Sequence, residues 1–186
     1  MKVYKIKINL VDINPPIWRR LVIPSNITFY KLHKIIQAVF DWQDYHLFEF
    51  NIYNINLGLP DESGFGENPD KNAKREKIDS YFKKGVKFIY TYDFGDNWEH
   101  KISVEDILEG EEDKKYPVCI KGKRQRPPED VGGTFGYEDF LNIISDPTND
   151  ECQEMLEWAE KDTGGRKFDP EYFYLPEINK RLARIR

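Results

Sequence analysis

Two short acidic segments of the sequence carry the side chains best suited to chemistry. The string DFGD contains Asp93 and Asp96, and the string PPED ends in Glu129 and Asp130. Carboxylates hydrogen-bond polar ligands, hold divalent cations and act as general acids and bases. Both segments also have a structural interpretation, as turns whose carboxylates bond backbone amides or arginines. We predict a ligand pocket between them, with candidate residues Tyr92, Asp93, Asp96, Trp98, His100, Glu129 and Asp130.

His46 and His100 are candidate metal ligands. The period of two places each of them on the apolar face of a predicted strand. A buried imidazole needs a hydrogen-bond partner, so a structural histidine is the favoured interpretation. The alternative is that both histidines join the carboxylates of the two acidic segments and hold a hard or borderline divalent ion. Such a site would make the protein a metal-assisted hydrolase.

Basic residues form two clusters, although 28 Lys plus Arg against 33 Asp plus Glu give a formal net charge of −5. Nucleic-acid binding would follow if both clusters met on one face with aromatic side chains between them. The acidic balance does not favour this, and the helix macrodipole alone explains cations at a helix C-terminus. The clusters are Lys121, Lys123, Arg124 and Arg126, then Lys180, Arg181, Arg184 and Arg186.

The hydrophobic pattern predicts the elements that position these residues. Apolar residues alternate over 4–10, which predicts a strand, residues 17–23 are predicted to return as a second strand, and Thr28 can cap a helix over about 29–40. A strand over about 46–53 and a hairpin of 88–94 with 98–104, turning at DFGD, are predicted next.

The last third of the chain is predicted to be helical. Helices are expected over 137–145, over 148–161 and from 176 onward, and Thr148 with Glu151 forms a capping box for the second of them. Strands followed by helices indicate an α+β fold. We therefore predict a mostly antiparallel sheet, one helix after the second strand and a helical C-terminal third.

Length and composition exclude several classes of protein. The 186 residues suit one domain over 1–186, with a flexible insertion at about 54–77. The 15% aromatic content excludes disorder, and no apolar run approaches the roughly 20 residues of a membrane span. The first residues read as a strand and not as a signal peptide, and two cysteines do not make a disulfide framework. We expect a cytoplasmic protein with no membrane partner.

Five strings of the sequence resemble the Ri-plasmid ORF-three-like family, whose members are also labelled insertion-element passenger or resolvase-like proteins. The strings occur in the family's order and extend over nearly the whole chain. The resemblance implies a compact α+β domain associated with plasmids and mobile elements. The strings are PPIWRR at 15–20, LHKIIQ at 32–37, YTYDFGDNWEH at 90–100, PPEDVGGTFGY at 127–137 and FDPEYF at 168–173.

The chain departs from this family at two positions. Members often have cysteines just before PPED and just before the two glycines, and these with the counterpart of Cys119 would form a thiolate cluster. Here the two positions hold Arg126 and Val131. A structural zinc needs about four ligands, so no zinc cluster is expected.

These observations favour a cytoplasmic binding or accessory module with its pocket near the DFGD hairpin and the PPED loop. Its ligand or protein partner is not identified by the sequence. The alternatives are a metal-assisted hydrolase using His46, His100 and nearby carboxylates, and a nucleic-acid-binding protein using the two basic clusters. The sequence leaves open whether the protein is an enzyme.

Overall fold

The structure is a computed structural model that describes residues 1–61 and 68–185. Over these residues a single sheet has the strand order β5-β4-β3-β6-β7-β1-β2-β8, and only the β4–β5 pair is parallel. The strands are β1 (Lys2–Leu10), β2 (Trp18–Pro24), β3 (Phe48–Ile52), β4 (Ile55–Gly58), β5 (Lys71–Asn72), β6 (Lys87–Tyr92), β7 (Trp98–Glu109) and β8 (Val118–Lys123).

Four α-helices accompany the sheet in the described ranges. They are α1 (Phe29–Phe40), α2 (Gly133–Ser145), α3 (Cys152–Asp162) and α4 (Leu175–Ala183). A short 3₁₀ helix spans Ile78–Ser80. The structure confirms the predicted α+β fold with a mostly antiparallel sheet, one helix after the second strand and a helical C-terminal third. No helix in the described residues is both long enough and apolar enough to cross a membrane.

Helix α1 forms where its cap and its apolar stripe predict it. The Thr28 hydroxyl accepts a hydrogen bond from the Lys31 amide at 3.2 Å, which satisfies one of the free amides of the first turn. At the other end, Asp41 adopts a left-handed conformation with φ 73°. The apolar side of the helix is buried in the main core, and α1 also packs against α4. The buried apolar residues of α1 are Phe29, Leu32, Ile35, Ile36, Val39 and Phe40.

Strand pairing brings two distant segments to one end of the sheet. Phe48 of β3 lies opposite Tyr92 of β6 in an antiparallel pair. The residues just before β3 therefore lie beside those just after β6. The Asp93 amide extends this pairing by donating to the Leu47 carbonyl at 2.9 Å. His46 and the DFGD turn are adjacent as a result.

The PPED loop is attached to this same end through the buried side chain of Arg126. Its Nε and Nη2 donate to the Asp41 carbonyl at 3.0 and 2.9 Å. Its Nη1 and Nη2 contact the two carboxylate oxygens of Asp162 at 2.6 and 3.1 Å. The guanidinium carbon also lies 4.9 Å from the ring centroid of Trp42. Arg126 thus connects the loop to the end of α1 and to the end of α3.

The structure bears on two local predictions, at residues 54–77 and at Thr148. Residues 54–77, expected to be a flexible insertion, contribute β4 and β5 to the sheet, while 62–67 lie outside the described residues. The capping box predicted at Thr148 is wrong, because α3 begins at Cys152 without a side-chain cap. The Thr148 hydroxyl instead donates to Asp146 Oδ1 at 2.7 Å. A local turn competes here with the cap that the sequence pattern indicates.

The start of α2 packs directly on the DFGD turn. The Gly132 amide donates to Asp96 Oδ2 at 3.1 Å. Gly133 has a φ of +68°, and a Cβ at this position would lie 2.6 Å from the Asp96 carbonyl oxygen. Glycine is therefore required at residue 133 both by the backbone conformation and by the close approach of the turn.

We expect Gly133→Ala to lower the free energy of unfolding by about 2–4 kcal/mol, because it adds a steric overlap to the left-handed strain. Gly164→Ala is the matched control, since Gly164 has a φ of +71° and nothing within 4 Å of an added Cβ. The control should lose only the conformational part, about 1–2 kcal/mol. Urea unfolding measures both, and equal losses would show that the contact with the turn does not matter.

We expect Arg126→Met to lower the free energy of unfolding by about 3–5 kcal/mol, since it leaves the largely buried Asp162 carboxylate without its cation. Lys121→Met changes an exposed residue of the same segment and should cost less than about 0.5 kcal/mol. Urea unfolding at neutral pH compares the two. A similar small loss in both variants would contradict the anchoring role of Arg126.

Candidate functional site

His46 lies at the centre of a group of carboxylates at this end of the sheet. Its Nε2 is 3.2 Å from Asp130 Oδ1, 3.7 Å from Asp93 Oδ2 and 3.9 Å from Glu129 Oε2. The side chains of Asp93 and Glu129 are buried, whereas that of Asp130 is 69% exposed. The group is therefore closed by the protein on one side and open to solvent beside Asp130.

The ring of His46 is held by an aromatic contact and leaves one nitrogen free. It packs edge-to-face on Tyr92, with 5.7 Å between ring centroids. Its Nε2 is buried and has no hydrogen-bond partner among the described residues. The carboxylates around it are close enough for an electrostatic contact, but none meets it in hydrogen-bonding geometry.

Asp93 is oriented by the turn that it begins. Its φ is +59°, a left-handed conformation that aspartate tolerates better than most residues. Its Oδ1 accepts a hydrogen bond from the Gly95 amide at 2.9 Å. The other oxygen, Oδ2, is the one near His46. The turn therefore uses one carboxylate oxygen for structure and leaves the second for the site.

Glu129 shows the same division between its two carboxylate oxygens and is as buried as Asp93, with 6% of the residue exposed. Its Oε1 accepts hydrogen bonds from the backbone amide of Gln43 at 2.6 Å and from the Tyr92 hydroxyl at 3.4 Å. Its Oε2 is buried and has no partner in the parts of the chain that the structure describes. Burial is the main reason why the pKa of this carboxyl is raised. One oxygen is thus fixed, and the other faces the His46 side of the group.

Asp130 completes the arrangement from the exposed side. It has a φ of +55° and directly follows Glu129, and both carboxylates lie within 4 Å of His46 Nε2. One ligand atom each from His46, Asp93 and Asp130 lie within 4.8 Å of one another. Within residues 1–61 and 68–185, this is the group of His, Cys, Asp and Glu atoms compact enough to hold a metal ion. A nitrogen and carboxylate oxygens are ligands of Zn²⁺ and Mn²⁺.

His100, the other predicted metal ligand, is placed in the core and both of its ring nitrogens are occupied. Nδ1 contacts the Trp98 carbonyl at 2.9 Å, and Nε2 lies 3.2 Å from Trp42 Nε1, which can only donate. The ring is therefore neutral, with its proton on Nδ1. Burial lowers the pKa of His100 to about 4. No nitrogen of this histidine is left to bind an ion.

The remaining predicted pocket residues contribute no atom to the compact group of possible metal ligands. Trp98 is fully buried beside Trp42, and Tyr92 reaches the site through its hydroxyl. Asp96 holds the Gly132 amide. The backbone amide of Gln43, which fixes Glu129, could not be predicted from the sequence, because a backbone donor does not depend on residue type.

A cleft borders His46 on the side of β3 and β4. Its lining includes Leu47 and Phe94, whose exposed fractions are 68% and 57%, and also Lys34 and Lys74. Leu47 directly follows His46, and Phe94 directly follows Asp93. The cleft therefore presents both apolar and charged side chains next to His46.

Two of the four residues of the first basic cluster are engaged inside the protein. Arg124 contacts Glu171 Oε1 and the Pro15 carbonyl, both at 2.6 Å, and Arg126 makes the contacts described above. Lys121 and Lys123 are exposed.

In the second basic cluster, Arg181 contacts Glu177 Oε1 at 2.7 Å, whereas Lys180 and Arg184 are exposed. Arg186 lies outside the described residues. The two clusters together thus offer fewer free cations than the sequence indicates.

Comparisons with known proteins agree with the resemblance carried by the sequence strings. The chain is 34% identical over 179 residues to the uncharacterized protein y4hQ of Sinorhizobium fredii (strain NBRC 101917 / NGR234), an alignment that covers 96% of this chain and 89% of that protein. It is similar to the crystal structure of the protein of unknown function MM3350 from Methanosarcina mazei Go1, with a TM-score of 0.82 and 41% identity over 95% of this chain and 97% of that one. The family model described as plasmid pRiA4b ORF-3-like protein matches residues 2–177, and the chain therefore belongs to this family.

Proposed function

We propose that this protein is a binding module for a divalent cation, held by His46, Asp93 and Asp130 where the DFGD turn meets the PPED loop. The observation that carries the proposal is a pair of buried polar atoms. His46 Nε2 and Glu129 Oε2 face each other at 3.9 Å, and neither has a hydrogen-bond partner among the described residues. Burying a polar atom without a partner is costly, and a bound ion with its water would satisfy both atoms.

The charges of the group support the same assignment. Three carboxylates lie within 4 Å of one imidazole nitrogen, and the ligand oxygens of Asp93 and Asp130 lie within 4.8 Å of each other, so their like charges repel. A divalent cation would relieve that repulsion. The mixed nitrogen and oxygen ligands favour Zn²⁺ or Mn²⁺ over Mg²⁺, which prefers oxygen ligands and water. A protonated His46 paired with the carboxylates is the alternative, and it predicts no binding of metal.

The cleft supports a role in which the ion helps to bind a further ligand. Three protein ligands leave coordination positions free on a divalent ion, and the open side of the group beside Asp130 gives access to them. We place the module in the cytoplasm. The free and buried thiols of Cys119 and Cys152 support a reducing compartment.

We expect isothermal titration of chelator-treated protein with ZnCl₂ or MnCl₂ to show one bound equivalent. His46→Ala should weaken binding at least about 100-fold, because even partners outside the ligand shell change metal affinity by 10- to 100-fold. Asp139→Asn is the control, since it removes an exposed carboxylate on α2 that does not belong to the group.

Circular dichroism in the near ultraviolet checks that each variant remains folded. Wild-type protein that binds neither ion would contradict the proposal. Equal loss of affinity in His46→Ala and Asp139→Asn would also contradict it, because binding would then reflect general negative charge.

A further inference from the structure

We infer that this site hydrolyses uncharged carboxylic esters, with Glu129 taking the proton of the attacking water. The inference rests on the metal binding proposed above and adds an activity to it. The feature behind it is the unequal environment of the two Glu129 oxygens. One is fixed by hydrogen bonds, and the other is buried, free and directed toward the metal-binding group.

Glu129 is arranged to act beside the ion and not as one of its ligands. The compact group of ligand atoms consists of His46, Asp93 and Asp130. Glu129 is held back by the Gln43 amide on Oε1 at 2.6 Å. Its Oε2 can still accept a hydrogen bond from a water molecule bound at the ion. A general base must lie within hydrogen-bonding reach of the proton that it removes, and this geometry provides that reach.

The number of ligands also favours a catalytic ion over a purely structural one. Structural zinc sites are closed by four protein ligands, whereas catalytic sites have three and keep a position for water or substrate. Here three side chains converge and the exposed Asp130 side remains accessible. An ion at this position would polarise a carbonyl oxygen and make a bound water more acidic.

Charge and surface chemistry select the class of substrate. The carboxylates of Asp93 and Asp130 cancel the two charges of a divalent ion, and Glu129 adds a further negative charge beside it. Lys34 and Lys74 line the adjoining cleft, but Asp44 and Glu49 line it with them, so the site and the cleft together have no excess positive charge to attract a phosphate dianion. Leu47 and Phe94, both largely exposed in the adjoining cleft, suit the apolar part of an ester.

The reaction balances without a redox partner. Glu129 Oε2 takes a proton from the water, and the water oxygen forms a bond to the ester carbonyl carbon. The bond from that carbon to the alcohol oxygen then breaks. The alcohol oxygen receives the proton from Glu129, so the products are a carboxylic acid and an alcohol, and the enzyme returns to its starting state.

The test uses full-length protein loaded with Zn²⁺ or Mn²⁺ and p-nitrophenyl butyrate as substrate. Glu129→Gln should bind the ion no more than about 100-fold more weakly than wild type and, at saturating ion, show a kcat at least about 100-fold lower, the usual contribution of a general base. Asp139→Asn should match wild type in both measurements. If Glu129→Gln does not fold, Glu129→Asp keeps the charge, shortens the reach and should lower kcat in the same direction.

The outcomes separate this inference from the proposed function. Protein that binds the ion but hydrolyses the ester no faster than the free ion does would overturn the inference and leave metal binding intact. Protein that binds no ion would overturn both. Full activity in Glu129→Gln would remove Glu129 from the reaction, and faster hydrolysis of p-nitrophenyl phosphate than of the butyrate would overturn the substrate class.

Discussion

The buried guanidinium of Arg126 determines where the carboxylates of the PPED loop can lie. It donates to the Asp41 carbonyl, to the Pro127 carbonyl and to both oxygens of Asp162. A buried cation is tolerated only when its charge and donors are satisfied together, so these contacts hold the loop in one position. Glu129 follows three residues later and reaches the Gln43 amide. The location of the site carboxylates is therefore a consequence of how one arginine is buried.

The three histidines of the chain illustrate how the site differs from the core. His33 lies between the Tyr90 hydroxyl at 2.8 Å and Asp44 Oδ1 at 2.7 Å, and it stacks on Phe48. Both His33 and His100 are fully partnered, and burial lowers the pKa of each to about 4. His46 has a ring nitrogen without a hydrogen bond beside an equally free carboxylate oxygen. The two core histidines are thus satisfied by their neighbours, whereas His46 has a free ring nitrogen beside a free carboxylate oxygen.

The local hydrophobic pattern predicts most of the helices and strands correctly, but it predicts their ends and their hydrogen-bond partners less well. Thr28 caps α1 as predicted because its hydroxyl meets an amide within the same turn. The equivalent prediction at Thr148 is wrong because Asp146, two residues away, captures the hydroxyl. Both outcomes depend on neighbouring residues, but the second is a competition between two local structures. The residue types alone do not show which of two competing local structures will form.

The α+β fold and the family were determined by the sequence, because alternation and helical stripes act over a few residues and the family strings are contiguous. The composition of the site was decided by tertiary structure. His46 and His100 have the same parity in the predicted strands, yet only His46, which lies just before β3, is at the sheet end that meets the PPED loop. In the sequence Arg126 belongs to a basic cluster of the kind expected at a surface. It is nevertheless buried, because the carboxylate of Asp162, 36 residues away, forms an ion pair with it. Partners this distant in sequence become neighbours only through strand register and helix packing.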